Sequence, residues 1–372
     1  MIYLDYNATA PVKPAVVSAV VEAMTRHGNP SSVHRFGRIA RRYVEEARAS
    51  VAAFVGVKPT QVIFTGSGTE ANNTVFTSGT LSTFYTSAIE HDSVLAASPM
   101  GQRLPVTRDG TLDLNALECA LKSAQAQCLL SIMMVNNETG IIQPLQEAVR
   151  IAKTYGHYVH SDAIQAAGRL PLDFEDLGVD YLTLSAHKIG GPQGVGALII
   201  RENVPVSSLL KGGGQELNRR AGTENVPGII GFGCAARLAA DDLRSVPSLK
   251  KMRDKLQTRL QDIAGTDAVV IGEHSPRVAN TLSIAMHHVS SETQVMALDL
   301  AGVALSSGSA CSSGKVKSSH VLRAMGYTDD IAGCALRISL GWNTQPSDID
   351  FCIEAWRSLY ERTRKNLSSK AA

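Results

Sequence analysis

The chain has almost no excess of either charge: 36 Lys and Arg stand against 34 Asp and Glu across 372 residues, a formal net of +2. That balance argues against the basic footprint that holds nucleic acid and against a polybasic helix lying on a membrane. Long apolar runs are missing too. The longest beside any motif, VGALII at 195–200, is far shorter than the roughly 20 residues a membrane span needs. The start, MIYLDYNATAPVKP, lacks the basic segment and apolar stretch of a secretory leader, so a cytoplasmic protein is expected. Its six cysteines include no C-x-x-C pair, which argues against a disulfide framework or a zinc site. Cys119, Cys128, Cys234, Cys334 and Cys352 fall in apolar-periodic stretches and are expected to be buried free thiols. Cys311 differs, because SSGSACSSG at 306–314 surrounds it only with Ser, Gly and Ala.

What is present is an alternation. QVIFT, TFYTSAIE, CLLSIMMV, YVHSDA, YLTLSA and GVGALII read as strands between about 60 and 200, and EEARASVAAFVG and LQEAVRIAKTYG have helical periodicity ending in Gly. This predicts a largely parallel sheet wrapped by helices. A Gly- and Arg-rich loop, LKGGGQELNRRAGTEN, is followed by a long helical stretch at about 226–264 that suggests a connection between domains. Beyond it, RVANTLSIAM and GCALRISLG as strands and DIDFCIEAWRSLYERTRKNL as a terminal helix predict a smaller α+β unit, with SSKAA as a frayed tail. The expected division is a large domain at 14–245, with 1–13 and 246–372 forming a small one.

Five strand runs end in polar groups: GSGTEANN, His91, Asn136 with Asn137 and Glu138, Asp162, and His187 with Lys188. Parallel strands share one carboxyl edge, where ligands bind, so these residues are expected around one pocket. In FTGSGTEANN, glycines before a helix make Gly66, Ser67, Gly68 and Thr69 candidates for a phosphate cradle. The same stretch fits G-x-G-x-x-A with Glu90 at a spacing suited to a dinucleotide ribose, so a dinucleotide, another phosphate and a bare turn all remain open on it alone. Asp162 and Lys188 favour pyridoxal phosphate: the lysine can bond its aldehyde while the acid keeps the ring nitrogen protonated.

The motifs YLDYNATAPV, HGNPSSVHRFG, FTGSGTEANN, EHDSVL, VNNETGIIQP, HSDAIQAAG, LSAHKIGGPQGVGAL, GGGQELNRRAGTENV, SSGSACSSG and LRISLG run in one register from residue 3 to about 360. Together they resemble the NifS-like cysteine desulfurases of the class V aminotransferase group. The resemblance implies an α/β fold of the PLP-dependent transferase type, with a mainly parallel seven-stranded sheet and a smaller α+β domain. It implies that Lys188 carries pyridoxal 5'-phosphate, with His91 stacked on the ring and shuttling protons, Asp162 on the ring nitrogen and Gln165 on the ring hydroxyl. By the same resemblance, Gly68, Thr69, Ser185 and His187 hold the phosphate, joined by Thr223 from the neighbouring subunit of a homodimer. Asn137 and Arg337 would receive the carboxylate of L-cysteine, a guanidinium fork being suited to that task.

This resemblance gives Cys311 a purpose. Its thiolate would take sulfur from cysteine, leave alanine, and carry a persulfide to a sulfur-acceptor or iron-sulfur scaffold protein. Gly308 and Gly314 permit backbone freedom, and Lys315, Lys317, His320 and Arg323 favour the thiolate. Where many relatives have Leu-Glu-Pro-Ser-His, this chain has VKSSH, a change that bears on loop stiffness and acceptor docking. Selenocysteine lyase is the nearest alternative, and class V transamination, which gives the thiol no role, is further off.

Overall fold

The computed structural model describes residues 1–77, 81–308 and 319–371. Its main sheet has seven strands in the order Val62–Thr65, Gly196–Ile200, Tyr181–Ser185, Tyr158–Asp162, Leu129–Ser131, Phe84–Ser87 and Gln102–Leu104. Every neighbouring pair is parallel except the two made by Gly196–Ile200. Alternate residues point to opposite faces. Leu130, Leu182 and Ile199 therefore pack on one side with Val44, Val51 and Phe232, while Leu129, Tyr181 and Leu198 pack on the other with Ala71 and Val75. Burial on both faces is why these strands read as continuous apolar runs.

A second, antiparallel sheet orders Ser306–Ser307, Ala335–Ser339, Thr281–Met286 and Ala268–Val270. Leu256, Leu260 and Trp356 from the helices Val246–Ala264 and Pro346–Ala371 cover it. The N-terminal Ile2–Tyr3 pairs with Val303–Ala304, and Asp5 bridges to Ser339, so the first residues run along this second unit toward the main sheet.

The expected helix at 226–264 is two helices, Val226–Asp242 and Val246–Ala264, joined by a 3-10 turn at Leu243–Ser245. Pro247 explains the break, since proline suits the first turn of a helix and not its interior. The terminal helix continues to Ala371, so the backbone of residues 368–371 is helical where a frayed tail was expected. In the main sheet the strand Gln102–Leu104 has no counterpart among the expected runs; it forms the sheet's outer edge and its first two residues are exposed.

His160 shows how the sheet handles a polar group at its centre. Its ring is fully buried, with Nδ1 2.8 Å from Ser131 Oγ and Nε2 3.0 Å from Thr183 Oγ1 on the two flanking strands. Burial lowers its pKa from 6.5 to about 3. Below pH 6.5 the unfolded chain therefore binds a proton that the native state refuses, and stability falls as the pH drops toward 3. Between pH 6 and 4, His160→Gln is expected to lose stability less steeply than the parent, by about 1.4 kcal/mol per pH unit. Urea unfolding at several pH values checks this; equal slopes would contradict it.

Candidate active site

At the carboxyl edge of the main sheet lies a cavity of about 300 Å³, within the range of small-molecule sites. Gly68, Thr69, His91, Asn137, Asp162, Gln165, Ser185, His187, Lys188 and Arg337 all line it, so residues spread over 270 positions of sequence meet as the strand-end argument requires. Cys311 lies outside the described residues.

Ser67 caps the helix Gly68–Phe76, its hydroxyl accepting from Glu70 N. The preceding amides, Gly68 and Thr69, are first-turn donors with no partner inside the helix, and the helix dipole adds to their pull on an anion. Both sides of this approach are close, with backbone demanding glycine at Gly196 and the tip of a side chain facing Gly68. A Cβ on Gly68 would stand 2.3 Å from Ile164 Cδ1, and one on Gly196 would stand 2.6 Å from the Ser67 carbonyl carbon. His187, in the 3-10 turn after Tyr181–Ser185, has its pKa lowered to about 4, first by burial and then by the Lys188 cation. It is neutral at pH 7, with Nδ1 3.2 Å from Thr9 Oγ1.

His91 caps a short helix: Ser93 N donates to its Nδ1 at 3.1 Å, so the neutral ring carries its proton on Nε2. Ser93 Oγ, 2.8 Å from that Nδ1, accepts from Asn72 Nδ2, whose other hydrogen goes to Asp162 Oδ2 at 2.8 Å. Asn72 thus ties the His91 ring to the Asp162 carboxylate. Asp162 Oδ1 accepts from Ile164 N, and no cation pairs with this acid among the described residues. Glu90 is different. It is fully buried, its pKa is raised well above the ordinary carboxylate value chiefly by burial, and it accepts from Met133 N. It cannot meet a ribose, which removes the structural basis for the dinucleotide alternative.

The N-terminal turn also belongs to the site, through main-chain carbonyls that residue type does not mark. Lys188 Nζ donates to the carbonyls of Asn7 and Ala8 at 2.6 and 2.7 Å. Asn7 O also accepts from Gln165 Nε2, while Gln165 Oε1 accepts from Arg169 Nη1. A carbonyl only accepts and a guanidinium only donates, so the amide is oriented from both ends and its remaining Nε2 hydrogen serves the cavity. The Asn7 side chain bonds Asn137 O and Thr281 Oγ1, joining the two sheets at the cavity floor. Arg337 is 2% exposed and donates from Nη2 to Asp5 Oδ1 and from Nη1 to Asn137 O. Its buried Nε has no partner among the described residues.

Thr223 is not in this cavity; it is exposed and lines a separate one with His27, Pro30 and Tyr43. Its loop is held under strain. Glu216, Leu217 and Asn218 have φ of 47°, 56° and 63°, each costing about 1–3 kcal/mol outside glycine. The Glu216 carboxylate offsets this by taking two bonds from the buried Arg48 and one from Phe64 N. Arg220 then pairs with Glu70, which also accepts from Gly66 N, so the loop is fastened to the helix that begins at Gly68.

Of the five cysteines expected to be buried, four are; Cys119 is exposed on the outer face of the helix Leu114–Ser123. Its neighbours Leu117 and Leu121 take the inner face.

Comparison with known proteins agrees with this architecture. The aminotransferase class-V model matches residues 2–351. Cysteine desulfurase IscS of Dictyoglomus turgidum is 39% identical over 98% of this chain and 95% of its own length. A cysteine desulfurase of Sinorhizobium fredii is 39% identical, with 98% of each chain covered. Among solved structures, a NifS-like protein from Rickettsia africae is 34% identical with a TM-score of 0.91, covering 97% of this chain and 99% of that one. With the strand-end cavity in place and the match spanning nearly its whole length, the chain belongs to the aminotransferase class-V family.

Proposed function

We propose that this protein is a pyridoxal-phosphate-dependent cysteine desulfurase, which converts L-cysteine to L-alanine and passes the sulfur to an acceptor. The observation that carries the reading is the meeting, on one cavity, of Lys188, an Asp162 carboxylate with no cationic partner among the described residues, and the first-turn amides of Gly68 and Thr69. These suit an aldehyde, a pyridine nitrogen and a phosphate respectively. When bound, pyridoxal phosphate supplies a carbonyl that takes amines covalently and a ring that withdraws electrons.

The chain's own residues supply the rest. Lys188 Nζ gives the attachment point. Asp162 keeps the ring nitrogen protonated, and Asn72 keeps Asp162 in place. Gly68, Thr69, Ser185 and the neutral His187 bind the phosphate, and Gln165 donates to the ring oxygen. His91 would move a proton at Nε2. Asn137 and Arg337 receive the substrate carboxylate. The Cys311 thiolate attacks the substrate sulfur: the S–S bond forms, the C–S bond breaks with its electrons going to carbon, and a proton completes alanine.

The same proposal includes a homodimer in which Thr223 completes the partner's phosphate site, a cytoplasmic setting, and a sulfur-acceptor or iron-sulfur scaffold protein as recipient. It also retains the division at 14–245 against 1–13 with 246–372. None of the helices among the described residues is long and apolar enough to cross a membrane.

The test of the reading is direct. Protein mixed with pyridoxal phosphate should gain a visible absorption band and release alanine from L-cysteine; no band, or a band without alanine, counts against it. For the dimer, Lys188→Ala subunits mixed with Thr223→Ala subunits should recover one working site per heterodimer. Verified heterodimers with no recovery would remove Thr223 from the site.

A further inference from the structure

Arg337 already has a carboxylate. Its guanidinium is buried, and Asp5 Oδ1, 2.9 Å from Nη2, is its carboxylate partner among the described residues. Arg337 lines the cavity and Asp5 does not, so the acid reaches the guanidinium from behind. The arrangement is built. Ser306 Oγ donates to the second oxygen of Asp5 at 2.6 Å, while the main-chain carbonyl of Asp5 accepts from Ala8 N and Thr9 N and so fixes the turn. On the guanidinium, Nη1 donates to Asn137 O, and the buried Nε has no partner among the described residues.

We propose that Asp5 is an affinity-setting residue for the carboxylate site: it pairs Arg337 in the empty enzyme and weakens the hold of that guanidinium on an amino-acid carboxylate. The inference rests on the reading of Arg337 as the carboxylate receptor. Two physical requirements lead to it. A buried guanidinium left without a counter-charge destabilises the protein, so the empty site needs an acid. A second carboxylate arriving from the cavity then shares one positive charge with Asp5 and is repelled by it across the width of the guanidinium. At the effective dielectric of a half-buried site, that repulsion is worth about a factor of ten or more in Kd. The consequence is a site that binds L-cysteine weakly enough to let L-alanine, which carries the same carboxylate, leave.

Asp5→Asn separates charge from geometry. The asparagine Oδ1 still accepts from Arg337, and its Nδ2 can donate to the Ser306 hydroxyl, which accepts as readily as it donates. In protein loaded with pyridoxal phosphate, this variant is expected to bind L-alanine about tenfold more tightly and to show a lower KM for L-cysteine. Without amino acid its melting temperature should fall, and L-alanine should raise that temperature by more than it does in the parent. Less stable when empty and tighter when filled is a pairing that a purely structural residue does not give. Asp5→Ser, which also removes the charge, should tighten L-alanine binding too and replaces the first variant if that one does not fold.

Unchanged or weaker L-alanine binding in the folded variants overturns the inference. Arg337→Gln distinguishes the two levels of failure. If it abolishes L-alanine binding while the Asp5 variants gain nothing, only the role of Asp5 falls; if L-alanine binding survives it, the assignment of Arg337 falls first.

Discussion

Replacing Lys188 by Ala is expected to lower turnover at least about a thousandfold while leaving the protein folded. The lysine sits on the cavity wall and belongs to none of the buried apolar clusters. Its Nζ serves the carbonyls of Asn7 and Ala8, and Asn7 O keeps its bond from Gln165 Nε2 when the lysine is gone. Borohydride reduction of the loaded parent should attach the cofactor to the peptide containing residue 188. Lys13 is the informative rival, because its side chain packs against the Gly190 backbone just beyond the same turn. Its ammonium is committed to Asp242, with both carboxylate oxygens at 2.7 Å. A label on Lys13, or full turnover in Lys188→Ala, would mean that the chemistry is centred elsewhere.

How much of this could be read beforehand follows from what a sequence records. Asp162, His187 and Lys188 stood out because a polar residue ending an apolar run is visible as a change of residue type. Main-chain atoms leave no such mark. The carbonyls of Asn7 and Ala8 hold Lys188 and Gln165, yet any residue type could present them. Asn72 lies in FTGSGTEANN, where the glycines are the visible signal, and its bridge joins Ser93 in a short helix to Asp162 at a strand end, elements distant in sequence. Asp5 likewise lies 332 positions from its partner Arg337. The main sheet was legible because its strands are buried on both faces, whereas the three-residue edge strand Gln102–Leu104 carries too short a pattern to detect. For the helix pair at 226–264 the signal was present in Pro247; apolar periodicity on either side outweighed it.

The burial of the other thiols sharpens what Cys311→Ser should do. Burial pushes the pKa of Cys128 and Cys352 up to about 12 and raises that of Cys334, so these thiols stay protonated near neutral pH. Cys234 is buried, and Cys119, though exposed, does not line the cavity. No described cysteine is therefore both ionisable and at the site, and a thiolate is what sulfur transfer requires. Cys311→Ser is expected to load pyridoxal phosphate and bind L-cysteine normally, yet to form alanine at least about a hundredfold more slowly, since a serine hydroxyl is a poor nucleophile at this pH. Cys119→Ser is the matched control and should behave as the parent, because Cys119 is exposed on its helix and does not line the cavity. Mass spectrometry after brief exposure to L-cysteine should find one additional sulfur on the peptide containing residue 311 and none on that containing 119. Selenocysteine offers a further discrimination, since selenium leaves carbon more readily than sulfur and its release can persist in Cys311→Ser. Alanine formed from L-cysteine at the parental rate by Cys311→Ser, or a persulfide located on Cys119, would separate the cavity from the thiol and end the desulfurase mechanism in this form.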